Sequence, residues 1–559
     1  MTQIARRLNQ ALARLCGLPP LAAGLGVCLL VALLSLAAFL PAFTTLPPVD
    51  RDEARFAQAS SQMAATGDIV DIRFQDKPRY KKPVGIYWLQ AAAAEVTGGP
   101  VAAPIWHYRI PSLIAAVLAA VLTARLAMVF GGAAAGLAAG LPFAGMFVLG
   151  AEAHLATTDA VLLLTILCAQ LPLARIYRDA RAAEFAPPTP LGWGGVALFW
   201  GGLAAGTLVK GPIAPGVVAL TIAALTIAHR RARWLGALRP KPGIMLYLLL
   251  VLPWFVAITW RSGMGFWDAA LGRDLLGKVA GAQESHGAPP GTYLALLWFT
   301  FQPAAIALGL ALPAIWAARH RAGVAFALAW AVPGWLVFEA APTKLMHYVL
   351  PFYPALALAI GIVWSGAAVR PLVKGRRWAF YVLGALPVLM LAAVGGYCIS
   401  LGAMPVLPLV AGFVVLGLGL ALTHAALRAA LPQAALLGLW LVGAGVTGGA
   451  LASAAATPAL WPAPAIATLI PPDAACKQIT LYEIGYDEPS LVFLAPGPVV
   501  ASTLPALTAA LSSDRCVAAV VPDADAARVL GARRLGTVTG LNIGTGRKVD
   551  LAVFGPAKK

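Results

Sequence analysis

The chain has 559 residues, of which 60% are hydrophobic and 11% charged, and its mean hydropathy is +0.80. Soluble domains carry roughly 25% charged residues, so a soluble globular protein is excluded and an integral membrane protein is indicated. The net charge of +18, from 41 Lys and Arg against 23 Asp and Glu, requires no nucleic acid partner: basic residues gather in loops on one membrane side and meet anionic lipid headgroups there.

Apolar runs long enough to cross a hydrocarbon core of about 30 Å recur from end to end, about thirteen of them. They lie near 19–41, 108–129, 132–151, 158–175, 193–209, 212–229, 244–260, 293–316, 322–338, 348–366, 378–398, 405–425 and 433–455. Backbone polar groups in such spans must be satisfied internally, so the runs should be helices. The run 158–175 is the weakest and reads as a short or re-entrant helix. The first run follows Arg6, Arg7 and Arg14. It is about twice as long as a signal-peptide core and no small-residue cleavage site follows it, so it reads as a retained signal anchor.

Basic residues set the orientation. The N-terminal segment is basic, and alternate loops carry Arg175, Arg178 and Arg181; Arg230, Arg231, Arg233, Arg239 and Lys241; Arg319 and Arg321; and Arg370, Lys374, Arg376 and Arg377. The other loops mix signs, as in Asp52, Glu53, Asp68, Arg73 and Lys82, or Asp268, Arg273, Asp274, Lys278 and Glu284. This alternation predicts a cytoplasmic N-terminus and, with an odd number of spans, a C-terminus outside.

The first outer loop, 42–107, is long. DEARFAQASSQMAATG places Ala54, Phe56, Ala57, Met63 and Ala64 at helical spacing, which predicts an amphipathic helix in the membrane interface. KPVGIYWLQAAAAEVTG reads as a second, with Tyr87 and Trp88 as interface anchors. The outer loop 261–292 ends in the Gly/Pro-rich ESHGAPPGTY and suits a mobile lid. The composition shifts near Thr457. Residues 1–456 read as a transmembrane domain and 457–559 as a small α/β domain outside the membrane. There KQITLYEI and CVAAVVPD look like strands, STLPALTAALSS (capped by Ser502) and DADAARVLG like helices, and RRLGTVTGLNIGTGRKVDLAVFG like a terminal hairpin.

Cys16, Cys28, Cys168 and Cys398 fall in or beside helices and suit apolar packing. Cys476 and Cys516 lie in the outer segment, where an oxidising compartment makes them candidates for a disulfide whose geometry sequence leaves open. No Cys/His spacing reads as a zinc site. No cofactor is fixed by the sequence; a divalent metal stays open, and no ligand spacing indicates one.

The acids Asp52 and Glu53 follow the first span, and about thirty residues later come Tyr80, Lys81 and Lys82, within reach of one local fold. An acid and several cations beside a bilayer suit moving a group off a phosphate carried on a lipid. The strings DEARFAQASSQMAATGDIV and YKKPVGIYWL resemble the first outer loop of membrane glycosyltransferases of the GT-C fold, and most closely the 4-amino-4-deoxy-L-arabinose transferases that modify lipid A. TTDAVLL around Asp159, TLVKGPIA around Lys210, the His286 loop and TKLMHYVLPFYP around Lys344 and Tyr348 continue the resemblance, collinear over residues 20–366. The departures are Lys81, where the family commonly has an acid before Lys-Pro, and Ile69, where it has an aromatic after Gly-Asp.

The resemblance implies an all-α polytopic inner-membrane enzyme of bacterial type with a periplasmic C-terminal domain. Its partners would be an undecaprenyl phosphate-linked sugar, lipid A and the surrounding membrane lipids. Less anionic lipid A and resistance to polymyxin and other cationic peptides would follow. Asp52 would be catalytic, as a general base worth roughly 10²–10⁴-fold or, with an already anionic phosphate acceptor, as an orienting group. Arg55, Lys82, Lys344 and Tyr348 would stabilise charge on the leaving phosphate. Glu53, Tyr80, Asp159, Lys210, Arg273 and His286 are further candidates on the same face, Glu53 as partner of the donor's amino group.

Plainer readings stand beside these. Asp52 and Arg55 at i,i+3 suit a helix-surface ion pair worth about 0.2–0.5 kcal/mol, and the two acids complement a helix dipole. Lys81, Lys82 and Lys344 suit snorkelling, Asp159 an N-cap, His286 a surface histidine and Lys210 an interface anchor. A protein O-mannosyltransferase of the same fold is the nearer rival and would need Asp52 as a true base. An oligosaccharyltransferase has only a faint echo in Phe266–Asp268. A transporter would place ionisable residues in mid-span and show repeated halves. A non-enzymatic lipid-binding scaffold would use the basic groups without Asp52.

Overall fold

The structure is a computed structural model that describes residues 1–99, 103–185, 189–277, 287–365, 374–471, 475–476 and 478–556. Each apolar run predicted from the sequence is helical. Among the described residues, eight helices are long and apolar enough to cross a membrane, or up to nine if the pair Thr292–Thr300 and Ala304–Ala317, bent by 118°, is one span. The other expected runs are helical too, in bent or shorter elements. The runs 108–129 and 132–151 are two helices that meet within Ile105–Ala144 at a kink, where Gly132 leaves the helical conformation with φ 66, and the apolar helices Ile213–His229 and Leu350–Trp364 are shorter.

The run 158–175 is corrected. It forms the 24-residue helix Asp159–Ala182, most of it buried inside the protein. Its low hydropathy reflects protein neighbours rather than a short element. The buried Gln170 donates to Thr221 Oγ1 at 2.9 Å, as polar groups inside a bundle do.

The first outer loop folds as the helices Asp52–Thr66 and Gly85–Val96, joined through a small hairpin of β1 (Arg73–Phe74) and β2 (Lys77–Pro78). The first helix carries its acids in the opening turn and stops at Gly67, whose left-handed φ of 71 closes it. Tyr87 is not the expected interface anchor: it is fully buried and packs on Phe56 with ring centroids 5.4 Å apart. Trp88 stays at the edge and donates its indole N–H to the Ile69 carbonyl at 2.8 Å. At Gly85 a Cβ would stand 2.8 Å from the Leu208 carbonyl. The missing side chain lets the second loop helix touch the helix Trp193–Lys210, which brings the Lys82 region beside Lys210.

Toward the C-terminus, β3 (Thr480–Glu483), β4 (Val499–Ala501), β5 (Val517–Pro522), β6 (Arg533–Asn542) and β7 (Arg547–Gly555) form one sheet in the order β4-β3-β5-β7-β6. β3 runs parallel to β4 and β5, and the predicted terminal hairpin β6–β7 is antiparallel. The wholly apolar β5 is packed on both faces and is buried, whereas along β3 only alternate residues, Leu481 and Glu483, are buried. Cys476 and Cys516 form a disulfide with Cα atoms 5.4 Å apart. Two local expectations are corrected. Ser502 does not cap the helix Leu504–Ser513, which begins after Thr503 without a side-chain cap. DADAARVLG tightens into a 3₁₀ turn, Asp523–Arg528.

This sheet unit touches the first outer loop. Ser490 donates its N–H and hydroxyl to the Asp50 carboxylate at 2.7 and 2.8 Å. Gln75 accepts the Val499 N–H at 3.0 Å, and Phe493 meets Tyr108 edge to face at 5.6 Å.

Candidate functional site

Two joined cavities lie where the first loop meets the helix ends. The larger, about 1230 Å³, is walled by apolar side chains such as Val251, Phe255, Trp260, Phe266, Trp267 and Phe338. It exceeds the roughly 300–1,000 Å³ of ordinary small-ligand sites, so it suits a long apolar chain. Edge-to-face contacts of Phe266 with Tyr80 at 6.0 Å and with Trp254 at 5.1 Å hold its wall in shape. The smaller cavity, about 160 Å³, is polar and is lined by Asp52, Arg79, Glu152, Asp159, His347 and Tyr348 among others. Lys81, Lys82, Asp159, Lys210, Asp274 and Tyr348 line both. Cations therefore sit at the junction between an apolar channel and a polar chamber.

Each junction group is held by a partner. Lys82 pairs with the buried Asp274. Lys210, the last residue of its helix, donates to Asp159 Oδ1 at 2.7 Å and lies over the Tyr348 ring at 5.4 Å. Asp159 opens its helix, and its second oxygen accepts the Thr158 hydroxyl at 3.1 Å. It is thus an ion-pair partner rather than an N-cap. Burial pushes the Tyr348 hydroxyl up to about 12, against the opposing pull of the Lys210 charge. It stays protonated at neutral pH and can donate a hydrogen bond. Asp52, with its side chain 62% exposed, stands 3.9 Å from the buried Arg79 guanidinium. Arg79 in turn covers the Phe56 ring at 4.9 Å.

The other sequence candidates are engaged otherwise, Glu53 at the chamber wall and the rest of the described ones off it. Glu53 is buried, and both its oxygens are taken. Oε1 accepts Arg109 Nε and the Ala156 N–H, each at 2.8 Å, and Oε2 accepts an Arg109 terminal nitrogen at 2.9 Å and the Val49 N–H at 2.8 Å. It is a structural clamp, with no capacity left for a substrate amino group. Lys344 lines neither cavity. Its ammonium donates to the Ala288 and Ala341 carbonyls at 3.0 and 2.6 Å, so it ties down its own turn. Arg55 also lines neither cavity; its charge acts on Asp50 and Glu488, toward the C-terminal sheet. Tyr80 donates to Asp71 at 2.7 Å, and burial with that carboxylate raises its hydroxyl to about 12. Arg273 is exposed and off both cavities. His286 lies outside the described residues.

Several site groups were missed from sequence: Arg79, Arg109, Glu152, Asp274 and His347. Only His347 carried a signal, standing beside Tyr348 in a string already singled out. Among the described residues no group of three or more His, Cys, Asp or Glu is placed to hold a metal ion.

A profile described as dolichyl-phosphate-mannose-protein mannosyltransferase matches residues 81–257. Two curated relatives are named undecaprenyl phosphate-alpha-4-amino-4-deoxy-L-arabinose arabinosyl transferase. The one from Pseudomonas paraeruginosa (strain DSM 24068 / PA7) is 28% identical over 56% of this chain and 54% of its own. The one from Pectobacterium carotovorum subsp. carotovorum is 27% identical over 62% and 60%. The chain thus spans a little over half the length of these relatives, at 54% and 60%. Two solved structures share its fold: ArnT from Cupriavidus metallidurans bound to undecaprenyl phosphate, with TM-score 0.75, 20% identity, and 94% of this chain and 97% of that chain covered, and the same protein in the apo state, with TM-score 0.73, 20% identity, and 95% and 98% covered. The resemblance to the GT-C glycosyltransferases expected from the sequence is borne out, and the chain is a multi-pass membrane protein of that fold.

Proposed function

We propose that the protein is a polyprenyl-phosphate-dependent glycosyltransferase of the bacterial inner membrane. It takes 4-amino-4-deoxy-L-arabinose from undecaprenyl phosphate and attaches it to a lipid A phosphate on the periplasmic side. The observation that carries this reading is the junction of the two cavities: an apolar channel of about 1230 Å³ ends at Lys82, Lys210 and Tyr348, and a monosaccharide-sized polar chamber begins there. The prenyl tail lies in the channel and the carrier phosphate among the three donors. The sugar enters the chamber, with Asp52 on its far side. The cations oppose the charge that grows on the departing phosphate. Asp274 and Asp159 hold the two lysines in place before the donor arrives, so less ordering is left for the reaction itself.

The acceptor phosphate is already anionic, so Asp52 need not remove a proton from it. Beside Arg79, Asp52 orients the acceptor and stabilises positive charge on the sugar ring. Adding an aminosugar makes lipid A less anionic, which weakens its attraction for polymyxin and other cationic peptides. Mass spectrometry of lipid A from cells with and without this chain tests the reading: a mass shift of one aminopentose per phosphate supports it, and identical lipid A rejects it.

Lys82→Ala is expected to weaken binding of undecaprenyl phosphate about tenfold or more, because a charged hydrogen bond contributes roughly 1.5–3 kcal/mol and 1.4 kcal/mol is a factor of ten. Titration of the purified variant with the carrier in detergent checks this, and unchanged affinity would return Lys82 to the snorkelling reading. The alternation of basic and mixed loops places both the N-terminus in the cytoplasm and residues 457–559 in the periplasm. A reporter active only in the periplasm, fused after Lys559, should therefore be active. A cytoplasm-only reporter active at that position would reverse the orientation.

A further inference from the structure

The acids lining the polar chamber are not equivalent. Glu53 faces Arg109, Asp159 faces Lys210, Asp274 faces Lys82, and Asp52 stands within 4 Å of Arg79. Each of these acids has a permanent cation as its neighbour. Glu152 has a histidine instead: His347 Nδ1 lies 3.4 Å from Glu152 Oε1. The other Glu152 oxygen accepts the Thr157 hydroxyl at 2.9 Å. The carboxylate is buried while the imidazole is partly exposed, with side chains 4% and 28% accessible, and both residues line the chamber.

The histidine lies between two carboxylates, because its Nε2 is 3.8 Å from Asp159 Oδ2. A neutral imidazole donates from one nitrogen and accepts at the other. If Nδ1–H points to Glu152, Nε2 is left with a lone pair at the chamber wall. Two carboxylates, Glu152 and Asp159, thus border this part of the chamber with Lys210 as the permanent cation paired there, an arrangement that has a place for a second positive group. A cation from outside can take that place, and a compact group with several N–H donors suits it: an alkylammonium offers hydrogens both to a carboxylate and to an imidazole lone pair.

We infer that Glu152 and His347 form the subsite that selects a positively charged amino group on the transferred sugar. The inference rests on the glycosyl-donor reading above and replaces Glu53 in the role first expected of it. Ring geometry agrees. With the phosphate on the anomeric carbon and held at the junction, the ring atom opposite that carbon is turned toward the chamber wall, where an amino substituent meets these two side chains. A neutral hydroxyl there brings no positive charge to the two carboxylates, and sites built around a polar substituent discriminate strongly against analogues that lack it.

The test compares two synthetic donors in proteoliposomes with lipid A as acceptor: undecaprenyl phosphate carrying 4-amino-4-deoxy-L-arabinose, and the same carrier with L-arabinose. Glu152→Gln and His347→Leu are each expected to lower kcat/KM for the amino donor about tenfold or more. Because both residues line the chamber, the quantity read is the ratio of kcat/KM between the amino and the hydroxy donor, which should fall about tenfold whatever loss the two donors share. Glu152→Asp should restore part of the preference. Equal losses on both donors, or an unchanged preference, would overturn the subsite. Should buried Glu152→Gln fail to insert, His347→Leu at the partly exposed position carries the same comparison. Wild-type protein that transfers neither sugar rejects the donor reading itself and the subsite with it, a result distinct from the loss of preference alone.

Discussion

Replacing Asp52 with asparagine is expected to lower sugar transfer by about 10²–10³-fold, the range associated with losing one preorganised charge-stabilising group, while the protein inserts and purifies as before. The separation of effects follows from the surroundings of the side chain. Asp52 is mostly exposed, and asparagine keeps a polar side-chain oxygen facing the buried Arg79 guanidinium, which stands 3.9 Å from the native carboxylate. Asparagine also keeps the shape and the place at the head of the helix. Transfer rates from undecaprenyl-phosphate aminoarabinose to lipid A in proteoliposomes provide the measurement. A wild-type rate in Asp52→Asn would remove this carboxylate from the chemistry.

The neighbouring acid should behave in the opposite way. Arg109→Ala is expected to destabilise the fold by about 3–5 kcal/mol, since breaking a buried pair leaves its partner charge uncompensated. Arg109 and Glu53 have side chains 0% and 1% accessible, and the arginine also donates to the Leu46 and Pro47 carbonyls at 2.6 and 2.8 Å. Loss of the guanidinium therefore frees the turn that leads into the Asp52 helix as well as the carboxylate. Replacing Glu53 and Arg109 together with apolar residues should recover part of the loss, because no buried charge then remains. Thermal unfolding in detergent distinguishes the cases. A single variant as stable as the wild type would contradict the clamp.

The contrast between Asp52 and Glu53 shows where sequence reading stopped. Both acids follow the same span, in the same helix turn, and chain position alone made them look like a pair. Their fates diverge because a helix turns by about 100° per residue: one points to the chamber and its neighbour points into the bundle, where Arg109 waits. Arg109 itself was hidden, since a single basic residue near the start of an apolar run looks like the edge of a span. The helices were legible because membrane burial forces a long apolar signal. The ends and bends of the helices were less so, because a buried helix such as Asp159–Ala182 and a kinked one such as Ile105–Ala144 answer to their protein neighbours as well as to lipid. Asp159, Lys210, Lys82 and Tyr348 were found as motif positions, and the structure brings them to one junction. Lys344 was singled out from the sequence and His347 was not, while His347 lines the chamber and Lys344 lies off it. They lie in an irregular turn, where no periodicity tells which side chain faces inward, and the lysine's ammonium is taken by two carbonyl oxygens.

The contact between Asp50 and Ser490 links residues 440 positions apart. Asp50 also borders the polar chamber, one residue from Arg51 and two from Asp52. Synthesis runs from the N-terminus, so Lys82, Lys210 and Tyr348 are all made before Ser490, and the wall at Asp50 gains its backing only once this later segment has folded against it. The chamber is thus assembled from distant parts of the sequence: its cations come early, and the support of its rim comes late.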